Sequence, residues 1–212
     1  MRRRISRTFG IVALTLLSVF QSGSLLWAHH AGPSHDGDTD YYPLAVGNRW
    51  TFKIVLADGS KSDTVTWYIS RVWKAGGKKM CAILPKPMAA DDELRNYQAD
   101  SSGVFDTLSE SYVLKFPLKQ YNQWSDSRSD SSAAVLQVNV PCESGNFKFA
   151  DCLVVERDEK DRNNAAARTI AFYAKHIGPV KYVHSKFPDG TEHLLDVLVL
   201  QSYSVGGKSS SK

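Results

Sequence analysis

From Trp50 onward the chain alternates. Trp50, Phe52, Ile54 and Leu56 fall on one side of an extended segment and Thr51 and Lys53 on the other, with Val55 as the exception. Period two with large apolar residues marks a half-buried β-strand. The pattern predicts a first strand over Arg49–Leu56, entered through Tyr41–Asn48. There Pro43 fixes its own φ and pushes Tyr42 toward an extended conformation. Gly47-Asn48 reads as a turn, since both residue types tolerate positive φ. The same build returns late in the chain. Ile170, Phe172 and Ala174 alternate, Gly178-Pro179 turns, and Val180, Tyr182 and His184 resume.

Between these stretches one predicted strand follows another. Asp63–Trp73 places Val65, Trp67, Ile69 and Trp73 on one face, interrupted by Arg71. Gly76-Gly77 turns into Lys79–Leu84. Asn96–Ala99 and Val104–Leu108 flank a hairpin signal at Asp100-Ser101-Ser102-Gly103. Ala133–Val140 and Phe147–Glu156 form a second hairpin. Arg168–Ala174, Val180–Lys186 and Thr191–Tyr203 follow, the last two joined by Pro188-Asp189-Gly190. Ala89–Leu94 is the one plausible helical turn. Tyr121–Ser132, with Trp124 as an exposed aromatic, and Asp158–Asn164 read as polar loops. Regular strand spacing with Gly and Asp turns predicts an all-β fold: one antiparallel, sheet-rich domain over 41–205, a sandwich or half-open barrel. A flexible tail, 206–212, follows it.

The N-terminus departs from this pattern. Arg2, Arg3, Arg4 and Arg7 precede an apolar run over Phe9–Phe20, too short to span a bilayer comfortably, and Ala28 offers a cleavage point. Residues 1–28 therefore read as a signal peptide, which makes the protein periplasmic or secreted. No cysteine lies near the cleavage region to carry a lipid. Removing this segment changes the charge. The full chain holds Lys+Arg 26 and Asp+Glu 22, for a net charge of +4. Without the four arginines the two counts are equal. A nucleic-acid partner calls for a cationic surplus, so nucleic acid is excluded as the expected partner. No later stretch is long and apolar enough for a membrane span. Residues 29–40 are a polar leader, predicted disordered.

Several of these residues carry a family likeness. Tyr42-Pro43-Leu44, Val46-Gly47-Asn48, Trp50-Thr51-Phe52, Phe116-Pro117-Leu118 with Trp124, Val140-Pro141 with Gly145 and Phe147, Asp151-Cys152-Leu153, and Phe172-Tyr173-Ala174 with Ile177-Gly178, Val180 and Lys181 occur in that order. The set resembles an uncharacterised family of secreted bacterial β-domains and lipoproteins. The resemblance implies a mostly antiparallel β fold and an envelope location. It implies no activity, and so no catalytic residue.

Candidate chemistry is sparse. No Gly-x-Ser-x-Gly elbow, Gly-rich phosphate loop, His-Glu-x-x-His or Cys-x-x-Cys occurs, so no cofactor is expected. Asp91-Asp92-Glu93 is a run of adjacent acids, whereas glycosidase carboxylates face each other from separate elements. His29, His30 and His35 in the leader are candidate ligands for a transition metal. His184 and His193 are a second candidate pair. With Asp189-Gly190 as the turn, His193 faces Lys186 and His184 faces Leu195, which puts both histidines on one face but supplies no third ligand.

The cysteines are Cys81, Cys142 and Cys152. Export permits a disulfide, and an odd count leaves one thiol. Close spacing favours Cys142–Cys152. Hairpin parity opposes it: a two-residue Gly145-Asn146 turn points Cys152 away from Cys142, and an extra loop residue would restore the pairing. The functional expectation is an exported non-enzymatic accessory or binding module of the bacterial envelope, its partner an envelope protein or a small apolar ligand. A metal-assisted hydrolase using the histidines and a carrier of an apolar ligand are the alternatives.

Overall fold

The computed structural model describes residues 38–60, 62–86, 95–126, 131–160 and 165–211. The signal segment, the leader histidines His29, His30 and His35, and the Ala89–Leu94 turn with its acids lie outside the described residues.

The fold is all-β. A 3-10 turn, Asp38–Tyr41, leads into β1 (Arg49–Leu56), β2 (Asp63–Ala75), β3 (Lys78–Lys86), β4 (Arg95–Asp100), β5 (Gly103–Asp106) and β6 (Ser111–Lys115). The second half holds β7 (Gln123–Asp126), β8 (Ser131–Ser144), β9 (Phe147–Lys160), β10 (Ala166–Ala174), β11 (Gly178–Lys186), β12 (His193–Val205) and β13 (Lys208–Ser211). Every pairing is antiparallel, and the order runs β6-β5-β4-β3-β2-β1-β12-β11-β10-β9-β8-β7. Two meanders are thus joined where β1 pairs with β12, early chain against late chain. The segment expected to be a flexible tail folds back, with Lys208–Ser211 pairing Ser202–Val205.

The sheet curls until its two edges, β6 and β7, nearly meet. They are joined by side chains instead of a ladder. The Tyr112 N–H donates to Asp126 Oδ2 at 3.1 Å, and the Tyr112 carbonyl accepts from Trp124 Nε1 at 3.2 Å and from Arg157 Nη2. An unpaired strand edge exposes a row of polar backbone groups; here Tyr112 has both of its groups satisfied across the seam. Trp124, expected in an exposed loop, lies in β7 and is buried. The loop expected from Asp158 likewise starts later, because β9 runs to Lys160.

Trp50 anchors the interior. It is 0% exposed, and its indole Nε1 donates to the Ile177 carbonyl at 2.7 Å. Gly178, at φ +97, lies against it: a Cβ there would come within 3.0 Å of Trp50 Cζ2 and 3.2 Å of Pro43 Cδ. The two stretches that alternate most clearly in sequence therefore meet in space. Gly47 takes the positive φ of the entry turn. Asn48 instead ties the turn to its surroundings. Its Nδ2 donates to the Pro43 carbonyl at 2.6 Å, and its Oδ1 accepts from the Gly206 N–H at 3.1 Å.

Bulges reset the alternation at several points. Ile69 pairs with Ile83 but Arg71 pairs with Ala82. Ser70 is the extra residue, so Val72 opposite buried Cys81 continues the inner face and Trp73 turns outward. Trp73 stacks under the Arg71 guanidinium, 5.1 Å from ring centroid to Cζ. In the β8–β9 hairpin the Gly145-Asn146 turn holds as expected, with Ser144 opposite Phe147 and Cys142 opposite Phe149. Val140 then faces Cys152, so Pro141 alone opposes Ala150-Asp151. The extra residue sits in the strand and not in the loop. It rotates Cys152 toward Cys142, and the two are joined as a disulfide with Cα atoms 6.0 Å apart. Cys81 is a free, buried thiol, and burial pushes its pKa up to about 11.

Candidate binding site at the long-loop mouth of the barrel

The two ends of the barrel differ. At one end the strands are joined by tight turns, Gly76-Gly77, Ser101-Ser102, Gly145-Asn146, Lys175–Ile177 and Gly206-Gly207, apart from the longer 116–122 connection from β6 to β7. At the other end the connections made of described residues, 107–110 and 187–192, are longer. Longer loops held by a rigid scaffold are where binding residues concentrate, and barrel mouths are a common place for ligand sites.

Burial follows the same axis. Along β1, Trp50 and Phe52 are sealed while Ile54 and Leu56, on the same face, are half-buried. On β2, Ile69 is sealed and Trp67 and Val65 are half-buried. On β11, Val180 is sealed and Tyr182 and His184 are not; on β12, Leu200 and Leu198 give way to half-exposed Asp196. The β-strand interior is therefore sealed around Trp50, Phe52, Ile69 and Val180 and only partly covered toward the long-loop end.

The side chains at this opening are aromatic and polar. Trp67 lies 5.0 Å from Phe52 and 5.3 Å from Tyr182, ring to ring. Behind them, in the sealed interior, Tyr173 lies 6.3 Å from Tyr182, and the Tyr42 ring reaches both Tyr173 and Tyr97 at 5.8 Å. Burial pushes all four phenols up from their ordinary range, with neighbouring tyrosines adding to the effect for Tyr42, Tyr173 and Tyr182. Arg95 stands at the rim, its side chain 58% exposed, 3.4 Å from the buried carboxylate of Asp106. Arg157 enters from the seam side, close to Ser131 Oγ at 3.4 Å.

His184 is part of this opening, but not as the sequence predicted. A bulge between His184 and Ser185 places His184 opposite Asp196 in place of Leu195. His184 Nδ1 and Asp196 Oδ1 are 2.7 Å apart. His193 does face Lys186, and its Nε2 is 3.4 Å from Asp189 Oδ1, a residue of its own turn. The two histidines are each engaged by a different acid. Among the described residues no group of three or more His, Cys, Asp or Glu is arranged to hold a metal ion.

The inward Trp67, Arg95, Asp106, Arg157 and Asp196 were not expected at a site. One signal was present for Asp196: it is the sole charge in Leu194–Leu200, an otherwise apolar run. At the tight-turn end a separate cleft of about 610 Å³ is lined by Asp40, Tyr42, Asn48, Lys79, His176 and Lys208, among others. His176 Nδ1 lies 3.5 Å from Asp40 there.

This architecture defines a class, an antiparallel sheet curled almost into a barrel, and a solved structure shares it. A protein of Bacteroides fragilis, described as exported and as having a YmcC-like fold, matches over 80% of this chain and 98% of its own, with a TM-score of 0.51 and 10% identity. A protein of Parabacteroides distasonis, described as a lipoprotein, matches over the same shares with a TM-score of 0.44 and 12% identity. The chain thus has a YmcC-like fold. No family model and no curated protein matches the sequence.

Proposed function

We propose that this protein is an exported, non-enzymatic binding module of the bacterial envelope, and that its ligand enters the long-loop mouth. The carrying observation is the run of inward but half-exposed side chains, Ile54, Leu56, Val65, Trp67, Tyr182 and His184. Large apolar side chains on an inner face are normally packed out, because each buried one stabilises by about 1.5–3 kcal/mol. Left half-exposed together, they form a surface for a ligand with an apolar or flat face. Arg95 and the His184–Asp196 pair supply fixed polar contacts at its edge. The signal-like N-terminus supports export, and so does the description of the Bacteroides fragilis neighbour as exported.

The test is native mass spectrometry of protein recovered from its own envelope. A co-purifying small molecule, lost in Trp67→Ala and Tyr182→Ala variants that stay folded, is the expected result. A bound molecule that survives both substitutions, or no bound molecule at all, refutes the assignment of the mouth. One observation favours a second, hydrolytic reading: Asp196 holds His184 by Nδ1, the way a general base is oriented. Metal-dependent hydrolysis abolished by His184→Ala would establish that reading in place of the first.

A further inference from the structure

The β2–β3 hairpin carries a feature that ligand binding at the mouth does not use. Arg49 opposite Tyr68 is the first β1–β2 pair, so Ile69–Ala75 runs on past the start of β1. Its tip reads Arg71-Val72-Trp73-Lys74-Ala75-Gly76-Gly77-Lys78-Lys79-Met80, four cations and no acid. All four cations are exposed. Lys74 stands directly opposite Lys79, and Trp73 opposite Met80. Like charges directly across a strand pair are destabilising, so the isolated tip holds an arrangement that costs stability. Lys78 has a carboxylate partner, Asp100 at 3.4 Å. Arg71, Lys74 and Lys79 form no ion pair among the described residues. Val46, 63% exposed, lies beside this hairpin, since the neighbouring Gly47 N–H donates to the Ile69 carbonyl.

We propose that this hairpin docks the protein onto the anionic leaflet of a lipid bilayer, with Lys74, Lys78 and Lys79 among the headgroup phosphates and Trp73 at the headgroup boundary. The chemistry matches at each point. Lysine is a compact point charge that pairs with phosphate without demanding one geometry. Tryptophan prefers the interface between headgroups and hydrocarbon. An anionic surface relieves the Lys74–Lys79 repulsion, and Gly76-Gly77 puts no bulky side chain in the way of close approach. The chain also enters the fold at this end, because Asp40 and Lys79 line one cleft. A docked hairpin thus leaves the long-loop mouth facing away from the membrane. The inference does not depend on what that mouth holds.

The experiment is co-sedimentation of the protein with vesicles of phosphatidylcholine, with and without phosphatidylglycerol. Binding is expected only to the anionic vesicles and falls as salt screens the charges. Each lysine near an anionic leaflet contributes about a fivefold gain in binding, so the Lys74→Ala, Lys78→Ala, Lys79→Ala triple variant should bind about 100-fold more weakly. Brominated phosphatidylglycerol should quench tryptophan fluorescence in the parent protein and not in Trp73→Phe. Equal binding to both vesicle types overturns the proposal. So does a folded triple variant that binds as well as the parent, or quenching that persists in Trp73→Phe. Tighter binding to a soluble sulfated polysaccharide than to anionic vesicles would assign the patch to a polyanion and overturn the lipid reading.

Discussion

Trp50 tests the architecture at its centre. Its ring is sealed, packs on Gly178 and beside the Tyr42 ring, 6.3 Å away, and ties its indole N–H to the Ile177 carbonyl. Two substitutions separate packing from hydrogen bonding. Trp50→Phe keeps a ring but leaves the Ile177 carbonyl without its donor, a loss of about 1–3 kcal/mol. Trp50→Ala also opens a cavity, and buried Trp-to-Ala changes cost about 3–5 kcal/mol. Against a total stability of about 5–15 kcal/mol, the alanine variant loses a large share. For a domain of this size each kcal/mol shifts the melting temperature by roughly 2–4 °C. Urea unfolding followed by circular dichroism gives both values. The reasoning fails if Trp50→Phe lies within about 0.5 kcal/mol of the parent, the range of an ordinary surface change. It also fails if the alanine variant costs no more than the phenylalanine one.

Three further outcomes follow from the same structure. Replacing Cys142 and Cys152 by alanine removes a crosslink of sequence separation 10 and should lower stability by about 2.7 kcal/mol in the chain-entropy model; an unchanged urea midpoint would contradict it. The four buried phenols hold their protons to higher pH than an unfolded chain would. Their contribution is fully present below the unfolded tyrosine pKa of about 10 and is lost as pH rises through the folded values, so stability measured by denaturant at stepped pH should fall steeply above about 10, and a flat profile would refute it. Asp126→Ala removes the acceptor for the Tyr112 N–H at the seam and should cost about 1–3 kcal/mol, with faster amide exchange at Tyr112; unchanged exchange there would show that the seam is held otherwise.

The strands themselves were legible in sequence because period two survives wherever a face is buried. β1 and the turn at Gly145-Asn146 stand where alternation and turn chemistry put them, whereas Gly178-Pro179, expected as a turn, opens β11 and pairs with Ala174 and Tyr173, the turn itself falling at 175–177. The errors of facing fall together: each of three lies beyond a bulge. Counting by twos from Val65 carries Trp73 inward, but Ser70 is an extra residue and reverses it. Counting back from Asp189-Gly190 pairs His184 with Leu195, but the extra residue hands the place to Asp196. Counting from Gly145-Asn146 turns Cys152 away, and the Ala150-Asp151 step turns it back. A bulge is one residue placed where the sheet must twist or bend. The demand comes from the curvature of the whole barrel, which no local window contains.

Trp124 and the mouth show a different limit. Trp124 is flanked by Gln123, Ser125 and Asp126, which reads as a solvated loop. Those neighbours are polar because β7 is an edge strand, and the tryptophan between them is buried because its N–H closes the seam. Polarity around a residue reports the strand's position in the sheet, while the residue's own fate depends on what lies across the gap. The same holds at the mouth. Ile54, Leu56, Val65 and Trp67 have the pattern of core residues, and period two correctly gives the direction in which they point. It does not say whether anything fills the space they point into. Around Trp50 and Phe52 the space is filled, by Ile177, Gly178 and the facing strands; a few residues further along, the neighbouring side chains are Tyr182, His184 and Asp196, and the cover is only partial. A binding surface made of core-type residues is invisible to a reading of pattern alone, because what distinguishes it from a core is how completely the surrounding chain covers it.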